Sequence, residues 1–180
     1  MEQNSENATL KRALALPRGD RERGEVVLVV VRPSRGERLL PEAIEMTVEG
    51  GVEGDRWGKR SHRDHGRQVS AVNGATLACL AGEAPVHLSG DNLHLTIDIS
   101  KENLPTGSLI RVDDAVLRVL PTLHDPCDQF ERRFGRESYL AANSDELMEL
   151  RGRGVMLEVV EGGRVAIGGS VEVISRGSHS

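Results

Sequence analysis

Two very short interruptions in β-branched sequence constrain this chain more than any other feature. The runs IRV and AVLRV are parted only by Asp113-Asp114, and MLEVVE and RVAI only by Gly162-Gly163. Two residues cannot carry a crossover, so each pair of runs is predicted to fold back as an antiparallel hairpin. Upstream, residues 25–33 read EVVLVVVRP, a continuous apolar run suited to a buried strand that stops where Pro33 lacks a backbone donor. Further strands are predicted at residues 44–48, 68–72, 93–98, 108–112, 115–120, 155–160, 164–167 and 171–174. Within 93–98, Leu93, Leu95 and Ile97 alternate with His94, Thr96 and Asp98, the period of a half-buried strand.

Helical signals are fewer. Asn73 is a good N-cap for GATLACLAG, Ser144 for DELMELR, and residues 126 to about 142 form a third candidate. Many short strands with a few inserted helices predict a mainly β fold, a closed or nearly closed β-barrel. A length of 180 residues suits one domain with its own core. The predicted organisation is a mobile arm over 1–24, where Pro17 and Gly19 interrupt a weak apolar cluster, a barrel domain over 25–175, and a flexible tail over 176–180.

Composition narrows the function. Aromatic residues make up 2% of the chain and its formal net charge is −5, which together argue against stacking on bases or following a phosphate backbone. The first 25 residues contain no apolar core of signal-peptide length, and no segment approaches the roughly 20 apolar residues of a membrane span. A cytoplasmic protein with neither nucleic acid nor membrane as partner is expected, and Cys79 and Cys127 are expected as free thiols.

Cys79 lies among Ala75, Leu77, Ala78 and Leu80, where a thiol behaves as a small hydrophobe. Cys127 is different. It sits in HDPCDQF, where Asp125 suits an N-cap and Pro126 the first helical position, while Phe130 and Phe134 recur on one face. As second helical residue, Cys127 would meet unpaired backbone N–H groups that favour thiolate over thiol. A thiolate serves as nucleophile, sulfur carrier or soft-metal ligand.

The segment GGVEGDRWGKRSHRDHGRQV, residues 50–69, is glycine-rich and basic. Lys59, Arg60, Arg63 and Arg67 could rim a site for a phosphorylated small molecule or simply form a solvated loop. His62 and His65 are spaced as metal ligands but lack a closing pair of Cys or His. Gly90-Asp91-Asn92 opens a strand and offers amide donors and acceptors at its end. Arg151-Gly152-Arg153-Gly154 reads either as a helix stop or as an anion clamp. No Gly-x-Ser-x-Gly elbow, P-loop or dinucleotide fingerprint occurs.

In order along the chain, GVEGDRWG (51–58), RQV (67–69), GDNL (90–93), PTGSLIRVDDAVLRV (105–119), HDPC (124–127) and RGRGVMLEVVEGGRVAIGGSVEVI (151–174) resemble the MOSC domain. This is the module at the C-terminus of molybdenum-cofactor sulfurases, also found as small standalone bacterial proteins. The resemblance covers roughly residues 26–175. Departures are Asp91 where Gly-Glu-Asn is usual, Thr96 for a glycine, and Gly168-Gly169 for Gly-Asp. The resemblance implies a barrel that binds molybdenum cofactor, a phosphorylated pterin, with Cys127 carrying persulfide sulfur or ligating molybdenum and His124 beside it. It makes Asp55, Arg56, Lys59, Arg67, Asn92 and Arg153 the candidate cofactor-binding residues. Larger relatives carry a pyridoxal-phosphate domain, for which this chain is too short. Sulfur would come from a cysteine desulfurase or another donor, and a reductase or molybdoenzyme would be the acceptor partner. The enzymatic version is a sulfurtransferase or oxidoreductase component; the alternative is a non-catalytic barrel that binds a small anionic ligand or a protein.

Overall fold

The computed structural model describes residues 7–178. Ten strands are formed: β1 (Arg23–Val29), β2 (Ala43–Thr47), β3 (Gly51–Val52), β4 (Val69–Asn73), β5 (Leu93–Leu95), β6 (Leu109–Val112), β7 (Ala115–Val119), β8 (Val155–Glu161), β9 (Gly163–Ala166) and β10 (Ser170–Ser175). Seven close into a barrel in the order β1-β10-β6-β7-β8-β4-β5, while β3-β2-β9 make a separate small sheet. All barrel pairs are antiparallel except β4 with β5. Five short α-helices, α1 (Ala8–Leu14), α2 (Gly74–Ala81), α3 (Asp128–Phe134), α4 (Arg136–Ala142) and α5 (Asp145–Glu149), and two 3-10 turns (His65–Arg67 and Val86–Ser89) complete the described residues. The mainly β barrel read from the sequence is therefore the observed architecture.

The first predicted hairpin forms. Val112 pairs with Ala115 across Asp113-Asp114, and Asp113 adopts a φ of 53° that such a tight turn requires. The second does not. β8 remains in the barrel against β7 and β4, whereas β9 leaves it to pair with β2, Met46 opposite Gly163. The diglycine makes a corner between sheets. A Cβ on Gly162 would lie 2.6 Å from the Met46 carbonyl oxygen, and one on Gly163 would lie 2.5 Å from the Asp114 carbonyl carbon. Crowding by neighbouring backbone, rather than turn geometry, explains both glycines.

The barrel interior holds Val29, Leu93, Leu95, Ile97, Ile110, Leu117 and Leu157, all at most 1% exposed. A second apolar cluster joins the helices to the outer face of β4: Phe130, Leu77, Leu80, Ala141, Ala142 and Leu147 pack with Val72. This layer corrects the reading of residues 93–98. The strand ends at Leu95, and His94 and Asp98, expected to face solvent, are buried: His94 stands beside Val72 on the helix-covered face, and Asp98 Oδ1 accepts from Ser100 N in the turn that follows.

The segment predicted as an arm carries helix α1. Asn7 caps α1 by accepting from Leu10 N, the Glu137 carboxylate accepts from Thr9 N, and Ala13 packs into the helical cluster. Beyond the last strand, Arg176 donates to the Asn103 and Arg21 carbonyls. The ends of the predicted arm and tail, residues 1–6 and 179–180, lie outside the described residues.

Candidate functional site

Five segments converge at one end of the barrel: the turn following β1, the basic loop between β3 and β4, the turn before β5, the chain leading into α3, and the entry to β8. They enclose a cleft of about 650 Å³. Among the described residues its lining contains eight arginines and no carboxylate. Arg32, Arg35 and Arg38 come from the first segment, Arg56, Arg60 and Arg67 from the second, Arg133 from α3, and Arg153 from the entry to β8.

Two buried aspartates hold the floor. Asp55, 2% exposed, accepts from Arg32 Nε at 2.8 Å and Nη2 at 3.1 Å, and from the backbone N–H of Arg32 and of Trp57. Asn92, fully buried, accepts from Arg32 Nη2 and Ser70 N, and donates to the Val30 carbonyl and Asp55 Oδ2. This arrangement stitches β1, β4, β5 and the basic loop together. Burial pushes the Asp55 carboxyl up, but the bonds and charge of Arg32 outweigh it and hold the group below its ordinary range.

The other anchor is Asp91, with 0% exposure. His124 Nε2 lies 2.6 Å from its Oδ1 and Arg153 Nη1 lies 2.7 Å from its Oδ2. Arg153 Nη1 is also 2.9 Å from His124 Nε2. An ionised carboxylate only accepts, so the 2.6 Å contact requires the imidazole proton on Nε2 facing Asp91, and Arg153 gives its hydrogen to Oδ2 rather than to the ring. Burial, followed by the Arg153 charge, lowers the His124 pKa against the opposing pull of Asp91, and the ring is held neutral. Burial opposes ionisation of Asp91, but Arg153 and then His124 drive its pKa well below the usual range. With His124 neutral, Arg153 is the lasting counter-charge. The guanidinium also stacks over Phe130, 5.2 Å from the ring centroid, which couples α3 to the site.

His94 and His124 predict a pH dependence. Both folded pKa values lie below the unfolded value of about 6.5, with burial the first cause in each. Below that pH the unfolded chain takes up protons that the native chain refuses. The stability these rings contribute is complete above about pH 6.5 and is lost as pH falls toward the folded pKa values. The midpoint of thermal unfolding is expected to be lower at pH 5.5 than at 7.5, and His94→Leu should flatten the difference. A midpoint that rises on acidification would contradict this.

Cys127 occupies a different position from the expected one. It is the N-cap of α3, with φ −111° and ψ 175°, not the second helical residue. Its carbonyl accepts from Phe130 N and Glu131 N, while its side chain makes no capping bond and lies exposed on the cleft wall. Pro126 is buried one residue ahead of the cap. The single helix predicted over residues 126–142 is two, divided at Gly135 with φ 86°. Cys79 packs against the helical cluster as a small apolar group.

Of the other residues singled out by sequence, Arg56, Arg60, Arg67, His124 and Arg153 line the cleft. Asp55 and Asn92 lie beneath it and position Arg32. Lys59 is turned away, donating to the Pro33 carbonyl at 3.3 Å, and Arg63 bonds the Glu49 carbonyl and stacks 5.5 Å from the Trp57 ring centroid. These two are not among the cleft lining. Trp57 explains the order of the basic loop: it is 4% exposed and donates to the Asp64 carbonyl at 2.9 Å. His65 meets its edge, and among the described residues no group of three His, Cys, Asp or Glu is placed to hold a metal ion.

Sequence reasoning missed Arg32, Arg35, Arg38 and Arg133. A usable signal was present in RPSRGER, residues 32–38, three arginines in seven residues directly after a buried strand. Arg38 turns back over Gly90, whose φ is 76° and whose Cβ position lies 2.8 Å from Arg38 Nη2.

No helix among the described residues is long and apolar enough to cross a membrane. A family model described as MOSC domain matches residues 46–172. Comparison with the curated proteins finds no match. Among solved structures, the YuaD protein of Bacillus subtilis superposes with a TM-score of 0.65 at 19% identity, covering 86% of this chain and 97% of that one. YiiM from Escherichia coli gives 0.57 at 22% identity, covering 86% and 72%. YiiM from Geobacillus stearothermophilus gives 0.55 at 12%, covering 86% and 76%. These structures share the fold.

Proposed function

This chain belongs to the MOSC domain family, and from that premise we propose that its cleft holds molybdenum cofactor by the phosphate while Cys127 carries sulfur to, or ligates, the metal. The observation that carries the reading is the lining: eight arginines, no carboxylate, and one exposed thiol on the same wall. The residues suit an anionic, phosphorylated group. The buried Nε atoms of Arg38 and Arg153 have no hydrogen-bond partner among the described residues, and guanidinium forks match phosphate oxygens. Arg38, Arg56 and Arg133 would hold the phosphate, with Arg67 and Arg153 nearer His124. The cofactor would supply a molybdenum centre with affinity for soft thiolate ligands.

The protein's own chemistry begins at Cys127. In persulfide transfer its thiolate attacks the outer sulfur of a donor persulfide and the donor's thiolate leaves, so no external oxidant is needed. Exposure at the cap of α3 leaves the sulfur open to a desulfurase. In this reading His124 keeps its Nε2–H on Asp91 Oδ1 and so helps hold the carboxylate that anchors Arg153. A cytoplasmic location and a reductase or molybdoenzyme acceptor belong to the same proposal.

The cleft also supports a plainer reading, anion binding without sulfur chemistry, since the arginines do not depend on Cys127. Protein purified from a host that makes the cofactor separates the two. Bound molybdenum and cyanide-releasable sulfur are expected in the wild type, and Cys127→Ala should lose the sulfur while keeping its fold. Sulfur release without molybdenum would assign the carrier role, molybdenum lost with the thiol the ligand role. Wild-type protein with neither, after supply of cofactor and a sulfur donor, would leave only anion binding.

A further inference from the structure

The charge in the cleft exceeds what one phosphate monoester can neutralise. Of the eight lining arginines, Arg32 is matched by Asp55, Arg153 by Asp91, and Arg67 meets Asp64 at 3.4 Å on the exposed lip. The remaining five, Arg35, Arg38, Arg56, Arg60 and Arg133, form no salt bridge with a described carboxylate. A phosphate monoester carries about 1.5 to 2 negative charges at neutral pH.

These cations are also crowded. Arg38 loses proton affinity first to burial and then to the charges of Arg133, Arg32 and Arg56; Arg56 is affected by burial, Arg32 and Arg60. Such a cluster repels itself until an anion enters. Arg38 Nη2 lies 2.8 Å from the Cβ position of Gly90 and its Nε is buried, so the guanidinium packs against the turn before β5. The charges line a concave space on a chain of net charge −5, which favours a small polyanion over a nucleic-acid backbone.

We propose that the cleft takes an organic diphosphate, with adjoining phosphate groups held by Arg38, Arg56 and Arg133 and the organic part extending toward Cys127. This rests on the reading of the cleft as the cofactor site and specifies a diphosphate-bearing form of that ligand. A volume of about 650 Å³ accommodates more than a phosphate alone.

Calorimetric titration with inorganic pyrophosphate and inorganic phosphate at fixed ionic strength tests it. Pyrophosphate is expected to bind at least tenfold more tightly. Arg56→Gln and Arg38→Gln should each weaken pyrophosphate about tenfold, while Arg164→Gln, on β9 away from the cleft, should not. Arg56 has no side-chain hydrogen bond or ion pair with a described residue, so its variant should fold regardless. Equal affinity for the two anions would overturn the diphosphate assignment and leave the monophosphate cofactor reading standing, which molybdenum content tests separately. Tight pyrophosphate binding that is indifferent to both substitutions would place the anion elsewhere and also overturn it.

Discussion

Replacing Asp91 with alanine is expected to lower the unfolding free energy by about 3–5 kcal/mol, the cost of leaving a buried charge without its partner. Arg153 makes its 2.7 Å bond to this carboxylate, with a side chain 9% exposed, and no other carboxylate among the described residues pairs with it. His124 would lose its 2.6 Å contact at the same time. Guanidinium denaturation measures the effect. The pair Asp91→Ala with Arg153→Met should recover much of the loss, because removing both charges removes the desolvation problem. Strict additivity of the two single changes would show that the pair does not act as a unit. The sign with pH is also set. Asp91 has a folded pKa far below the unfolded value of about 3.9, so its contribution is present above that pH and disappears as pH falls through the folded value.

Gly154→Ala is expected to cost about 3 kcal/mol, through strain at positive φ plus steric overlap. Gly154 has φ +119°, and its Cβ would collide with the Ala71 carbonyl oxygen and sit 2.8 Å from His124 Cδ2. The backbone atom cannot yield without disturbing β4 beside β8, and the imidazole cannot yield without leaving Asp91. Gly168→Ala is the matched control. Its φ is +84° with nothing near the added methyl, so it should show the conformational part alone, about 1 kcal/mol. Comparable losses at both glycines would refute the close-packing argument. A larger loss at Gly154, accompanied by weaker anion binding, would tie the glycine to the placement of His124 and Arg153.

Both predictions concern residues whose importance was only partly legible. Gly90-Asp91-Asn92 stood out as a polar turn opening a strand, yet nothing local distinguished the wholly buried Asp91 from a solvated turn residue. Its value comes from His124 and Arg153, 33 and 62 residues away in sequence. Arg151-Gly152-Arg153-Gly154 was likewise open between helix stop and anion clamp. In the structure Arg151 donates to the Ile99 and Leu104 carbonyls, whereas Arg153 faces the cleft. Two arginines two residues apart have separate tasks.

The positions of the barrel strands, the Asp113-Asp114 hairpin and the caps at Asn73 and Ser144 were determined by the sequence alone, because each depends on periodicity, turn chemistry or capping within a few residues. Which sheet β9 joins, why His94 is buried, where α3 begins, and which cations share a cleft were decided only by the tertiary structure. Barrel closure brings the turn after β1, the basic loop, α3 and the entry to β8 to one rim. Burial and like-charge crowding there are sums over distant segments, so no local pattern could distinguish Arg38 over Gly90 from Lys59 turned toward Pro33.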